Sequence, residues 1–358
     1  MTDTKKDKIY AIFNQAFSDD PVWNDWYFSN VYDDAEAMLL DHDGKAVSSL
    51  LVEPYCFRYL GSDLRLAYLS GVATARGQRG RGYMSALLQD ALRRCHDRGY
   101  ALAAVVPAAD HLYFFYDKFG FTTVVYVDCE RYTSLHTFAT EPRFTPVDPT
   151  AAGLQRLESG HPASVIHSDG QFDHILADNA HDRGVAVAIA DNHAPRLADG
   201  SLPTVAMAFA VPSAHSDTVT VRAMWAESAE AAEAVLSLVR DRFHDRPIEV
   251  WAQPVNPRTR LRARAMLRIL DAHALLSAMA ATDRRIEQVI QLHDKIIPAN
   301  NGIYIIRDGR CTRTDSTMRH ITLDVDISVL ATILFSAPKV GHTFGIRTER
   351  PALPLMLD

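Results

Sequence analysis

The sequence predicts an α/β chain, more finely α+β, built on mixed sheets in three domains: residues 1–140, 141–260 and 261–358. Three observations carry this. Strand-like runs lead into a glycine-rich junction, an amphipathic helix and a buried-type strand across "LAYLSGVATARGQRGRGYMSALLQDALRRCHDRGYALAAVVPA". The same strand, helix, strand order returns more loosely beyond "TEPRFTPVDPT". From about Met266 the pattern changes again, to apolar helix-like runs around a hairpin. Strand periods interleaved with helical periods mark sheets covered by helices.

Each element follows in order. Ile9, Ile12, Phe13 and Phe17 fall close to helical spacing within residues 5–17. "DDPVWNDWYFSNVY" is aromatic and reads as loop. Residues 37–74 read as three strands joined by turns at Asp43-Gly44 and Gly61-Ser62-Asp63. After the glycine junction and its helix come the strand "YALAAVVPA" and then "HLYFFYDKFGFTTVVYVDCERY", a short helix, a glycine turn and a strand. Thr140 to Thr150 reads as a linker. Past it, "GVAVAIAD", "TVAMAFAVP" and "TVTVRAMWA" are strand-like, "SAEAAEAVLSLVRDRF" is a helix and "IEVWAQP" a strand. "MLRILDAHALLSAMA" is helix-like, "NNGIYIIRDGRCTRT" a hairpin around Asp308-Gly309, and "ISVLATILFSA" a helix. The closing "PALPLMLD" is apolar enough to be tucked in, unlike most chain ends.

Composition excludes several classes. Of 358 residues, 47% are hydrophobic and 23% charged, the balance of a globular protein. No run of about 18 apolar residues suggests a membrane span. "MTDTKKDKIY" lacks the apolar core of a secretory signal. Cys56, Cys95, Cys129 and Cys311 form no CxxC pair, which favours a reducing, cytoplasmic setting over a zinc site or disulfide framework. The 15 histidines form no HxxH or HExxH pair, so no metal is expected. His111 is a spare base candidate, or a surface residue. The formal charge of −7 disfavours nucleic acid and mildly favours cationic substrates.

The glycine junction carries the chemistry. Met84, Leu87, Leu88, Ala91, Leu92 and Cys95 form one apolar stripe, and Gly99 stands where a helix would stop. A helix therefore begins close to Gly82. A helix start presents unpaired N–H groups and partial positive charge. Gly80 and Gly82 leave that backbone bare, and Arg76, Arg79 and Arg81 add charge. Such a place suits a pyrophosphate, or is a tight turn with solvated arginines. A P-loop is excluded because no GK[ST] follows. A dinucleotide fingerprint is excluded because the third glycine is absent.

"LAYLSGVAT", "QRGRGYM", "LAAVVPA" and "FYDKFGF", in that order over about 55 residues, resemble the GCN5-related N-acetyltransferase (GNAT) superfamily. The resemblance implies a GNAT fold with a mixed central sheet, and acetyl-CoA as donor. It places Val72, Ala73 and Thr74 along the pantetheine arm. It places Gln78, Arg79, Gly80, Arg81, Gly82, Tyr83 and Met84 at the pyrophosphate; Met84 departs from the small residue usual there. It makes Tyr116 the general acid for the departing sulfur. The chemistry agrees: a phenol of pKa about 10 can share its proton with a thiolate whose conjugate acid lies at about 8.5. The alternative for Tyr116 is one more core aromatic in "YFFYDKFGF".

The whole-chain layout resembles the enhanced-intracellular-survival type of acetyltransferase. That implies a second GNAT-like domain without a cofactor loop and a C-terminal sterol-carrier-protein-like α+β domain. It further implies that the Asp358 α-carboxylate enters the first domain's site, acts with Tyr116 and assists the amine, and a homo-oligomer, trimer or hexamer. Trp23, Trp26 and Phe28, with Tyr27, sit where that family builds its acceptor pocket; Asp19, Asp20, Asp25, Asp33 and Asp34 are near in sequence. Aromatics and carboxylates suit a cationic amine, or are core and solvated turns. The acceptor expected is a primary amine on an aminoglycoside, polyamine or lysine-like molecule, with no nucleic acid or membrane partner. The alternative is a non-catalytic CoA- or lipid-binding protein or scaffold.

Overall fold

Thr4 starts the first helix. Its hydroxyl accepts from the Asp7 N–H, and the Asp7 carboxylate accepts from the Thr4 N–H, closing both ends of a cap on α1 (Lys5–Ala16). The aromatic stretch read as loop is a second helix, α2 (Pro21–Asn30), capped by Asp20 with Pro21 in its first turn. Its aromatics do not keep to one stripe, which is why no helical period announces it. Ile9, Phe13, Tyr27 and Phe28 interlock with Leu51 in one core cluster. The computed structural model describes residues 3–17, 20–252 and 261–355.

Three antiparallel strands follow: β1 (Met38–His42), β2 (Lys45–Tyr59) and β3 (Ser62–Thr74). Asp43-Gly44 and Leu60-Gly61 make the turns, all four at positive φ, the geometry two-residue hairpins need. The second turn thus sits one residue earlier than the sequence suggests. A crossover helix, α3 (Tyr83–Asp97), returns the chain to β4 (Leu102–Val105), which runs parallel to β3. Gly99 at φ 78° stops α3 as expected. Then come α4 (Asp110–Asp117) and β5 (Thr122–Tyr132).

The chain divides into two compact units: Met1–Val125 with Arg264–Pro351, and Tyr126–Ala263 with Ala352–Asp358. In the second, Thr140 to Thr150 is more than a linker, for it holds β6 (Phe144–Val147). There follow α5 (Ala151–Ser159), β7 (Ala163–Ile166), α6 (Asp169–His181), β8 (Val185–Asp191), β9 (Thr204–Pro212), β10 (Val219–Ala226), α7 (Ala229–Arg242) and β11 (Ile248–Ala252). Antiparallel β8–β9–β10, crossover α7 and a β11 parallel to β10 repeat the plan of β1–β2–β3, α3 and β4. One core of this unit lies between the sheet and α7, with Val235, Val239, Val221 and Ile248 all fully buried, and a second joins Leu154 of α5 and Phe172 of α6 to Met207 and Phe209 of β9.

The first unit resumes at Arg264, within β12 (Arg262–Ile269). Met266–Ile269 was expected to open a helix; it is strand, antiparallel to β4. Helix α8 (Ala272–Thr282) starts only after Asp271, whose carboxylate caps Ala274 N–H. β13 (Gln288–His293), β14 (Gly302–Arg307), β15 (Arg310–Thr314) and β16 (Leu323–Asp326) form a four-stranded sheet, followed by α9 (Ile327–Phe335) and α10 (Pro338–Thr343). The hairpin at Asp308-Gly309 and helix α9 stand where the sequence places them. In the closing segment, which belongs to the second unit, Leu353 and Leu355 are buried.

Candidate active site

Two strands part company to open the site. β3 and β4 pair at Leu66–Leu102, Ala67–Ala103 and Tyr68–Ala104. β4 ends at Val105, two residues before Pro107, which has no N–H to continue a ladder. β3 runs on to Thr74, paired with β2 on its other side. Opposite Leu50 it carries two residues, Gly71 and Val72, and Gly71 takes φ 53°. This bulge re-aims the strand just where its partner stops. A side chain at Gly71 would press on the Phe13 ring at 3.2 Å. Val72 and Thr74 are half-buried and Ala73 is buried; the Thr74 and Ser48 hydroxyls share a hydrogen bond of 2.9 Å.

The chain then makes a short turn at Arg76–Gln78 and enters α3. Gly80 and Gly82 hold φ of 76° and 81°, which only glycine adopts without strain. Gly82 is the N-cap, and no side chain caps the helix. A methyl group built on either glycine meets nothing within 4 Å. Bare backbone, open space and uncapped N–H groups fit a diphosphate. The arginines divide their labour. Arg76 Nε donates to the Gln15 carbonyl and Arg79 Nε to the Thr74 carbonyl, while Arg81 is exposed. The Tyr83 ring leans on His42 with centroids 4.9 Å apart, and Met84 packs against the main core.

Tyr116 sits on α4, 5% exposed, between Phe115 and Phe121. It shares its core with Leu87 and Leu88 of α3, and Val72 and Met84 pack against that core. Among the described residues its hydroxyl has no hydrogen-bond partner, and burial pushes its pKa up to about 12. Gly120 at φ 82° closes the turn after α4. A side chain there would meet Ile327 at 3.0 Å and the Arg268 guanidinium at 3.6 Å. Arg268 is fully buried and paired with Asp294 at 2.7 Å. Burial lowers the Arg268 pKa, with Asp294 opposing. Burial raises Asp294, but Arg268, Asn300 and the Ile297 N–H outweigh it and hold the carboxyl low. The 294–297 turn also takes Arg93 of α3, whose Nε donates to the Ile296 carbonyl. The segment after residue 264 therefore braces both α3 and the turn behind Tyr116.

The residues expected at the acceptor separate. Trp23 and Trp26 are half-buried on α2, whereas Phe28 is 3% exposed and locked among Tyr10, Phe13 and Tyr32. The aspartates serve local structure: Asp20 caps α2, Asp25 accepts from the Tyr10 hydroxyl, and Asp33 and Asp34 hold the following turn. His111 is exposed on α4. Asp19 and Asp358 lie outside the described residues. The four cysteines are free thiols. One group that sequence reasoning missed is Glu53. It is 9% exposed on β2 and accepts from the Tyr27 hydroxyl at 2.5 Å and the Ser70 hydroxyl at 2.6 Å. The signal was present: a single carboxylate inside the apolar run "SLLVEPYCF". A surface pocket of about 480 Å³ near Lys8, Leu40, Asp41, Asp90 and Arg94 lies elsewhere, and its charges pair as Lys8–Asp41 and Arg94–Asp90.

Comparison with known proteins agrees with this geometry. Residues 1–124 match the acetyltransferase (GNAT) domain family. No curated protein matches the sequence. Among solved structures, a probable N-acyltransferase from Enterococcus faecalis V583 superposes with a TM-score of 0.79 at 14% identity, over 99% of this chain and 97% of that one. A GCN5-related N-acetyltransferase from Kribbella flavida gives 0.75 at 18% identity, over 99% and 96%. Eis1 from Mycobacterium abscessus gives 0.72 at 16% identity, over 98% and 92%. At such identities the likeness speaks for the fold. Together with the open strand pair and the bare helix start, the domain match identifies the N-terminal region as an acetyltransferase (GNAT) domain, and the chain as an acyltransferase whose donor is acetyl-CoA.

Proposed function

We propose that this acyltransferase moves the acetyl group directly to a primary amine on a small, cationic acceptor such as an aminoglycoside, a polyamine or a lysine side chain. One observation carries the reading. Helix α3, whose glycine-lined start is uncapped, shares its core through Leu87 and Leu88 with the buried ring of Tyr116, whose hydroxyl has no hydrogen-bond partner among the described residues. Bound acetyl-CoA supplies a thioester with a good leaving group. The N–H groups at Gly82 to Met84 would hold its diphosphate, and β3 from Val72 to Thr74 would run beside its arm. Tyr116 would then donate its proton to the departing sulfur; with its pKa at about 12 it stays protonated throughout the neutral range. General acid help of this kind contributes roughly 10²–10⁴-fold. Trp23 and Trp26, half-buried on α2, are aromatic side chains of the kind that attract a cation.

The resemblance to the enhanced-intracellular-survival type adds three finer elements to the proposal. These are assistance from the Asp358 carboxylate, a sterol-carrier-like character for the C-terminal segment and assembly as a trimer or hexamer. Deleting Leu357 and Asp358 tests the first, and sedimentation equilibrium tests the last. The central test is turnover. Wild-type protein is incubated with acetyl-CoA and a panel of polyamines, aminoglycosides and lysine peptides, with free thiol and acetylated amine both measured. Thiol release no faster than hydrolysis with every amine would refute the reading.

A further inference from the structure

Resting on the amine-acetylation reading above, we infer that Glu53 is the proton acceptor for the incoming amine, reached through the Ser70 hydroxyl, with Tyr27 as the positioning residue that fixes it. The argument starts from register. Glu53 on β2 lies opposite Tyr68 on β3, so Ser70, two residues on, is its diagonal neighbour on the same sheet face. Ser70 is also the first β3 residue beyond the position level with Val105, where β4 ends. The Ser70 hydroxyl thus stands where the strands begin to part, and it is half-buried while Glu53 behind it is 9% exposed.

The bonds run one way. The Ser70 hydroxyl donates to Glu53 Oε1 at 2.6 Å, and the Tyr27 hydroxyl donates to the same oxygen at 2.5 Å. Tyr27 Oη and Ser70 Oγ are 3.2 Å apart. Tyr27 cannot be the acceptor of a proton here, because burial first and then Glu53 keep it protonated. The carboxylate is the basic member of the group. The two hydroxyl donors on Oε1 offset part of the cost of burying a carboxylate at this depth. Trp23 stacks on Tyr27 with ring centroids 5.0 Å apart and planes 20° apart. An aromatic face that attracts an ammonium therefore lies one ring away from the buried base.

The step balances. The ammonium R–NH₃⁺ gives a proton to Ser70 Oγ as Ser70 gives its own to Glu53, leaving R–NH₂, a serine hydroxyl and a neutral Glu53. The amine nitrogen bonds the acetyl carbonyl carbon and the carbon–sulfur bond breaks. Tyr116 passes its proton to sulfur and recovers one from the new amide nitrogen, directly or through water. Glu53 returns its proton to solvent, so the sum is amide, free thiol and one released proton.

The test compares Glu53→Gln with wild type on two acceptors: a primary alkylamine, charged at neutral pH, and hydroxylamine, already neutral there. Uncatalysed rates are subtracted, and acetyl-CoA affinity and melting temperature are read alongside. Glu53→Gln is expected to lose about 100-fold or more in kcat/KM on the alkylamine. It should stay within about fivefold of wild type on hydroxylamine, with acetyl-CoA affinity unchanged. Equal losses on both amines, or full activity on the alkylamine, overturn the role. Should Glu53→Gln not fold, Ser70→Ala is read by the same pattern, since it breaks the route while keeping the carboxylate. Wild-type protein that acetylates neither amine sinks the acetylation reading and this inference with it. Wild-type activity matched by both variants sinks the inference alone.

Discussion

Replacing Tyr116 with phenylalanine removes one oxygen from the site and little else. The ring stays between Phe115 and Phe121, so packing is conserved. Among the described residues the hydroxyl makes no hydrogen bond that its loss would break. Burial alone accounts for its raised pKa, which means that the folded protein holds this oxygen partly desolvated without compensation. Stability should accordingly be unchanged or slightly greater. Catalysis should not be spared. A general acid contributes about 10²–10⁴-fold, equal to roughly 3–5 kcal/mol of barrier. Expected in a free-thiol assay under saturating acetyl-CoA is a kcat at least about 100-fold below wild type. The acetyl-CoA KM should move less than about twofold, as the hydroxyl acts on the departing sulfur rather than on binding. A kcat within about fivefold of wild type would show that the leaving thiolate needs no proton from this residue, and the assignment would fail.

Three further outcomes follow from the same geometry. Gly82→Ala forces a side chain into φ 81°, at about 1–2 kcal/mol of strain, and places a methyl where the diphosphate would approach. Calorimetry should find acetyl-CoA affinity down about tenfold or more, and unaltered affinity would move the diphosphate elsewhere. Tyr116 carries a pKa of about 12 when folded against an ordinary value near 10, so its neutral form is favoured by folding. That contribution is intact below pH 10 and is lost as pH rises toward 12. Denaturation curves of wild type should therefore weaken more steeply over this window than those of Tyr116→Phe, by roughly 2–3 kcal/mol at its top. Asp294→Asn leaves the buried Arg268 charge uncompensated and should cost about 3–5 kcal/mol in denaturant unfolding, with much of it recovered when Arg268→Met is added.

What the sequence disclosed depended on how local the cause was. Turn pairs such as Asp43-Gly44, the α3 stripe, and the helix start at Gly82 and stop at Gly99 are written in neighbouring residues, and each stands where the pattern places it. Helix α2 escaped notice because its aromatics point several ways at once, although Asp20 and Pro21 at its start are a readable cap. Met266–Ile269 escaped for the opposite reason: a four-residue apolar run next to an apolar helix has no period of its own. Its strand state is imposed by pairing with β4, more than 160 residues away in sequence, and the break is marked only by Asp271. Glu53 needed the register of β2 on β3 to acquire meaning. So did the bracing of the Gly120 turn by Arg268, for nothing in "MLRIL" says that an arginine will be fully buried beneath a glycine.

The two crossover helices show how little sequence separates an open helix start from a self-capped one. Both α3 and α7 follow the third strand of an antiparallel trio and lead to a strand parallel to it. Each must satisfy the N–H groups of its first turn. At α7, Ser228 sits at an extended φ of −149° and its hydroxyl accepts from the Ala231 N–H. The helix caps itself, and its positive end is already engaged. At α3 the corresponding residue is Gly82, left-handed and without a side chain, so the charge at the helix start is turned outward. A serine could not simply be exchanged into that place, because the left-handed backbone itself excludes the extended cap geometry. The conformation and the missing side chain reinforce one another. What Ser228 supplies to α7 from within the chain is left at α3 to a group from outside it: water or, on the reading proposed above, the donor's diphosphate.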